Sequence, residues 1–299
     1  MNGARLIFPA SDSLGVRSMS NFFVSSDGFK IAIDPGAALG PSRYGLPPHP
    51  LEIKELENRL EKIKKGVEDS NIVIITHYHR DHYPQRDDIL DAMKGKTVIV
   101  KHPEIDINRN QRIRSGFFLK ELEKRGITTI KTNGTELNFG NVKVIMDGLL
   151  WHGEVGSMLG KVAAVFIVDE DLSYYFASDS QGPVDKNAVE KICMRRPNLL
   201  YISGPPTYLG NLKNEEDPTF KAMENIERMI SSSCFEKLVI DHHFSRELGY
   251  EKRLEKLKSL GKESGVEVND VAGYTGEARR PLESLRRELY ENFKEGHFL

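Results

Sequence analysis

The chain has 299 residues, 39% of them hydrophobic and 29% charged, and a formal net charge of −2. That balance fits a folded chain long enough to bury a large core and excludes an intrinsically disordered one. So small a net charge supplies no global field toward nucleic acid or a membrane surface, so neither partner is indicated.

Cys193 and Cys234 are the only cysteines. They are too few for a disulfide framework and form no Cys-x-x-Cys, so a reducing, cytoplasmic compartment is expected. Any metal must then rest on His, Asp or Glu. Residues 1–10 lack the apolar core of a signal peptide. The longest apolar runs, such as 162–168, fall far short of the roughly 20 residues of a membrane span.

In chain order, residues 29–33 and 72–75 read as buried strands. Between them, Leu56, Leu60, Ile63 and Val67 share one face of a helix over 51–67. A short helix is expected around 89–93 and a strand at 97–100. A helix over 117–124 stops at Gly126. Strands follow at 142–146 and 162–168, the latter turning at Asp169-Glu170-Asp171 into 174–177 as a hairpin. The second half carries strands at 199–203 and 238–240 and helices at 221–230 and 254–260. Pro281 opens a C-terminal helix with Leu282, Leu285 and Leu289 along one side. Strands and helices mix without a strict βαβ rhythm, which predicts an α/β chain of the α+β type, with mixed or antiparallel sheets covered by helices. No linker interrupts it, so residues 1–299 are expected to form one domain.

Directly after the strand at 72–75 comes His77-Tyr78-His79-Arg80-Asp81-His82. Four metal-type side chains in six residues are hard to assign to packing or solvation. Zinc and related ions take neutral imidazoles and ionised carboxylates converging at about 2.0–2.2 Å. A strand ending in a tight loop can aim several such groups at one point. Four ligands are too many for one open catalytic ion at this spacing, so two neighbouring ions are expected. Zinc suits the donors, and iron or manganese fits the same set.

The pattern His-x-His-x-Asp-His after a buried strand resembles the metallo-β-lactamase superfamily. Further residues follow in the family's order: His152 in Trp151-His152-Gly153-Glu154, Asp179 after Phe176-Ala177-Ser178, and a histidine within Ile240-Asp241-His242-His243. The resemblance implies an αββα sandwich with its site at one rim. It also implies that His77, His79 and His152 hold one ion, that Asp81, His82 and the last histidine hold the other, and that Asp179 bridges both. A carboxylate has two oxygens and can do so, whereas an imidazole cannot. Either His242 or His243 can be the last ligand, and strand register favours His242. The run His242-His243-Phe244-Ser245-Arg246 is similar to the tRNA 3′-end-processing branch, where His-Phe-Ser-x-Arg is common: the spacing of four to the arginine favours His242, and adjacency to Phe-Ser favours His243. Asp34, in Ile33-Asp34-Pro35-Gly36, is either a plain strand exit or the hydrogen-bond partner of a ligand histidine.

The chain is most similar to a group of this superfamily found mostly in archaea. The shared runs are Ser-Leu-Gly-Val-Arg-Ser at 13–18, the stretch from Asp34-Pro35-Gly36 through Leu39-Gly40-Pro41, the run 43–50 from Arg43 to Pro50, and Asp241-His242-His243. The resemblance implies a hydrolase whose hydroxide bridges two metal ions. Asp81 or Asp179 would orient the hydroxide, and His243, if not a ligand, would handle a proton. His79 stands where diiron members carry glutamate, which favours hydrolysis over redox chemistry. A phosphoester or a phosphorylated small molecule is the expected substrate. Arg17, Arg43 and the loop bearing Arg109, Arg112 and Arg114 are candidate phosphate contacts, although a solvated surface loop is the preferred explanation of the last three. A lactone or thioester substrate, or metal binding without turnover, are the alternatives.

Overall fold

The structure, a computed structural model, describes residues 3–294. Six strands make the first sheet in the order of the chain: β1 (Arg5–Ile7), β2 (Asn21–Val24), β3 (Lys30–Ile33), β4 (Ile72–Ile75), β5 (Thr97–Lys101) and β6 (Thr129–Thr132). The first three pair antiparallel and β3 to β6 run parallel. The second sheet holds β7 (Gly134–Phe139), β8 (Val142–Trp151), β9 (Lys161–Val168), β10 (Ser173–Phe176), β11 (Leu199–Ile202), β12 (Lys237–Ile240) and β13 (Glu267–Asn269). Here β7 to β10 are antiparallel, and β10 to β13 are parallel.

Two-residue periodicity sorts the side chains into layers. Ile31, Ile33, Ile72 and Ile74 face the second sheet, where Val165, Ile167, Tyr174 and Phe176 meet them. The alternate residues Ala32, Val73 and Ile75 face outward onto three helices. These are α1 (Pro50–Asp69), α2 (Asp87–Ala92) and α3 (Arg109–Lys124). The outer face of the second sheet is covered by α4 (Lys186–Arg195), α5 (Pro218–Ser231) and α6 (Glu251–Ser264), which bring Ile192, Ile226, Met229 and Leu254. This is the expected αββα sandwich. A short α7 (Val271–Thr275) and the C-terminal α8 (Leu282–Lys294) complete it. Among the described residues no helix is long and apolar enough to cross a membrane.

Local chemistry fixes the helix starts. His49 caps α1: its Nδ1 accepts from the Leu51 amide at 3.2 Å, while Glu52 accepts from the His49 amide at 2.8 Å, and Pro50 occupies the first turn. α3 begins eight residues before the expected 117, because Asn108 accepts from the Gln111 amide at 2.8 Å. The stretch bearing Arg109, Arg112 and Arg114 is therefore helix and not loop. Weak apolar patterning hid this start. Strands β1, β2, β6, β7 and β13 and helices α4 and α7 also have no counterpart in the sequence pattern, being short or poorly patterned.

The cysteines require a second correction. Cys193, at the end of α4, and Cys234, after α5, form a disulfide with Cα atoms 4.8 Å apart. Packing of both helices on one sheet face brings together residues that spacing alone left unpaired, and the argument from free thiols to a reducing compartment falls with it. The denatured, unreduced chain should show no titratable thiol. Replacing both cysteines by serine should lower the unfolding free energy by about 4 kcal/mol, on the loop-entropy relation for this separation. Denaturant melts measure the loss, and two free thiols in the unreduced chain would refute the pairing.

Candidate metal centre

Strand direction assembles the site. β3 and β4 run parallel, and β8 and β10 share one sense with β12, because both pair antiparallel to β9. Asp34, His77, His152, Asp179 and His242 each lie within three residues past the carboxyl end of one of these five strands. All five therefore gather on one rim, where loops are free to vary. The exits are sharp: Asp34, Ser178, Gln181 and His242 have φ of 45°, 52°, 52° and 61°. Left-handed backbone at non-glycine residues costs on the order of 1–3 kcal/mol and persists where the surroundings over-determine it.

Four overlapping sets of donor atoms converge, the atoms of each lying within 4.8 Å of one another: His77, His79, His152 and Asp179; Asp81, His82 and His242; Asp34, His77 and His82; and Asp179, His242 and His243. The first two are the sets that the family resemblance implies. Asp179 Oδ2 is 2.8 Å from His152 Nε2 and 3.7 Å from His242 Nε2, so this carboxylate faces both sets. His242 Nε2 is 3.6 Å from Asp81 Oδ2. His243 instead turns to the mouth: its Nε2 is 3.3 Å from Asp179 Oδ2 and from Gln181 Nε2, and its Nδ1 is 3.4 Å from the Tyr208 hydroxyl. Strand register does not aim His242: its φ of 61° takes it out of the pleat, and a hydrogen bond from Nδ1 to Asp12 Oδ2 at 2.7 Å orients it instead.

Asp34 takes the second of its two readings. It accepts from the Thr76 amide and hydroxyl and from His82 Nδ1 at 2.9 Å, so it orients His82 and is spent as a ligand. Asp241 is an anchor, accepting the amides of Ser13, His242 and Val271. Asp12, Gln181 and Tyr208 were not singled out from sequence. Ser11-Asp12-Ser13 looks like an ordinary turn, and nothing local marks Asp12 as a partner of a residue 230 positions away.

The residues fit divalent metal ions on the structure's own terms. His77 Nε2, His82 Nε2 and Asp179 Oδ1 are buried without a hydrogen-bond partner. Each such atom costs about 1–3 kcal/mol unless something electropositive meets it. The electrostatics agree. Burial, then the imidazoles of His82, His79 and His152, hold His77 well below the usual histidine range, and burial with His152 pushes His79 down to about 3. Both are neutral donors at pH 7. Burial raises the carboxyls of Asp81 and Asp179. Neighbouring histidines outweigh it, with Arg246 adding at Asp81, and keep both ionised. Burial and Arg246 push His242 down, but Asp12 and Asp179 carry it up to about 9, so an ion entering there displaces a proton. Burial takes His243 down to about 4 against the pull of Asp179.

The arginines divide. Arg17 is committed to Glu283 of α8 through two bonds of 2.6 Å. Arg109 and Arg112 are exposed along α3, and at 100° per residue Arg112 and Arg114 stand about 200° apart, so the three make no single patch. Arg43 lies nearer the cleft, its guanidinium 4.2 Å from the Tyr208 ring and bonded to the Arg246 carbonyl at 2.9 Å.

This sandwich with its rim site is the metallo-β-lactamase fold. A protein of that fold from Bacillus subtilis, YhfI, superposes with a TM-score of 0.51 at 18% identity, over 90% of this chain and 93% of that one. A possible metal-dependent hydrolase from Veillonella parvula gives 0.56 at 17% identity, over 87% and 95%. No family model matches the chain. Over 292 residues it is 39% identical to a UPF0282 protein of Aeropyrum pernix, covering 96% of this chain and 98% of the relative, and it belongs to the UPF0282 family.

A chelator-stripped sample should gain thermal stability when zinc, cobalt or manganese is restored, by about 2.7 kcal/mol at a hundredfold excess over Kd. An unchanged melting temperature across all three metals would contradict the fit.

Proposed function

We propose that the chain is a hydrolase dependent on two divalent transition-metal ions, zinc being well suited, and that its substrate carries a phosphate ester. The observation that carries this reading is the set of buried, partnerless donor atoms on His77, His82 and Asp179, at the centre of two converging donor sets. His77, His79, His152 and Asp179 would hold one ion, and Asp81, His82 and His242, with Asp179 shared, the other. Bound there, such ions acidify a water toward about neutral pH and draw electrons from the substrate oxygen. The remaining work belongs to the chain. Asp179 and Asp81 stay ionised and orient the attacking water. His77, His82, His152 and His242 are almost wholly buried, whereas His79 and His243 are half-buried. The His243 side chain, outside the two sets that would hold the ions, keeps 13% of its surface exposed at the mouth. His243 is therefore placed to exchange a proton through Nε2 with the reacting group, its ring held by Gln181 and Tyr208. Arg43, stacked on Tyr208, is the arginine best placed for a substrate phosphate. The Veillonella parvula relative in fold, a possible metal-dependent hydrolase, is consistent with this class of reaction.

A lactone or thioester substrate is the second reading. The commitment of Arg17 to Glu283 favours it, since fewer free cations remain for a phosphate.

Metal analysis should find about two equivalents per chain. His242→Ala should lose one equivalent, while His243→Ala keeps both and slows turnover. A ligand role for His243 would appear as metal loss in that variant instead. Model phosphodiesters, lactones and thioesters should be assayed together, with and without chelator. Chelation should abolish turnover, Asp179→Ala should cost more activity than Arg114→Ala, and Arg43→Ala should raise KM for the phosphodiester. Turnover of lactones alone, indifferent to Arg43→Ala, would remove the phosphate and leave the hydrolase.

A further inference from the structure

A histidine ligand is fixed when its second ring nitrogen has a partner of its own. The two donor sets differ in this respect. His77 Nδ1 is 3.3 and 3.4 Å from the hydroxyls of Thr76 and Ser178, and His152 Nδ1 is 3.4 Å from the Gln181 amide. Those partners are neutral and distant. His82 and His242 are instead backed by carboxylates at 2.9 and 2.7 Å, from Asp34 and Asp12.

Asp12 comes from far away in the chain. It opens a one-turn 3-10 helix, Asp12–Leu14, between β1 and β2. Because β2 runs antiparallel to β3, the segment before β2 lies at the rim where β3 ends. Gly15, with φ of 106°, closes the turn. The turn is tied to the exit of β12 twice. Asp241 accepts the Ser13 amide at 3.0 Å, and Asp12 Oδ1 accepts Arg246 Nε at 2.7 Å. Arg246 Nη2 stands 3.1 Å from both ring nitrogens of His242, which puts it across the ring and out of line with either lone pair. The guanidinium thus balances the buried carboxylate and steadies the imidazole from one side, while Asp12 fixes Nδ1.

We propose that Asp12 is a positioning residue for His242, so that the Asp81/His82/His242 half of the centre is completed by the N-terminal turn, whereas the His77/His79/His152/Asp179 half is independent of it. This rests on the two-ion reading above. Cobalt(II) reports the two halves separately, so the chelated wild type, Asp12→Asn, and Asp12→Asn combined with Arg246→Gln should be titrated with it. Calorimetry and visible absorption follow the binding, and thermal melts of the metal-free forms check the fold. The paired variant removes carboxylate and guanidinium together and avoids an uncompensated buried charge. In both variants the first equivalent should keep its affinity and spectrum, and the second should bind about 10- to 100-fold more weakly with altered absorption bands. Asp34→Asn should weaken that same equivalent. Two equivalents bound by Asp12→Asn with wild-type affinity and spectrum would overturn the role of Asp12, as would equal weakening of both equivalents. A wild type binding fewer than two equivalents would instead overturn the two-ion reading together with this inference.

Discussion

A buried lone pair with nothing to meet it is among the least tolerable features of a protein interior. At this rim several are held together, on His77, His82 and Asp179. The surrounding structure keeps them so. Five strands deliver their ends to one edge, left-handed residues turn the chain sharply there, and buried carboxylates at 34 and 12 aim two of the imidazoles. None of those devices improves packing. They become intelligible when the donor atoms are regarded as one half of an interaction whose other half is a cation.

Much of this was legible in the sequence because it is local. β4 was read to the residue, since a run of four apolar residues buried on both faces leaves little choice. The histidine loop that follows it is dense enough to exclude ordinary explanations. His152 and Asp179 could be named only through a family resemblance, as each alone looks like a structural histidine or a turn aspartate. Asp12 had no local signal, because its meaning lies in a contact 230 residues away. The arginines show the opposite case. Closeness in sequence at 109–114 does not mean closeness in space, because a helix spreads neighbours around its axis, and Arg17 has its partner on a helix at the far end of the chain, while Arg43 stands beside Tyr208.

The same long-range logic joins the segment at 43–50 to the C-terminal helix. Arg286 of α8 is fully buried, bonded twice to Glu52 at 2.7 Å and to the carbonyls of Gly40 and Leu46. The Tyr44 hydroxyl donates to the Ser284 carbonyl. Such a pair is costly to break and gives little net stability over an apolar substitute, so its contribution here is placement. It seats α8 against the segment whose Arg43 leans on Tyr208 beside the cleft.

The Cys193–Cys234 bond adds a topological consequence. It closes a covalent ring that includes β11, the segment at 205–217 with Tyr208, and the whole of α5. Exposed backbone of the kind found at Leu209 and around Asn214 is where proteases usually cut. A cut inside the ring yields two polypeptides still joined through sulfur, with α5 and β12 seated as before. The wall of the cleft that carries Tyr208 can thus be severed without being shed, and only a reductant would let the pieces part.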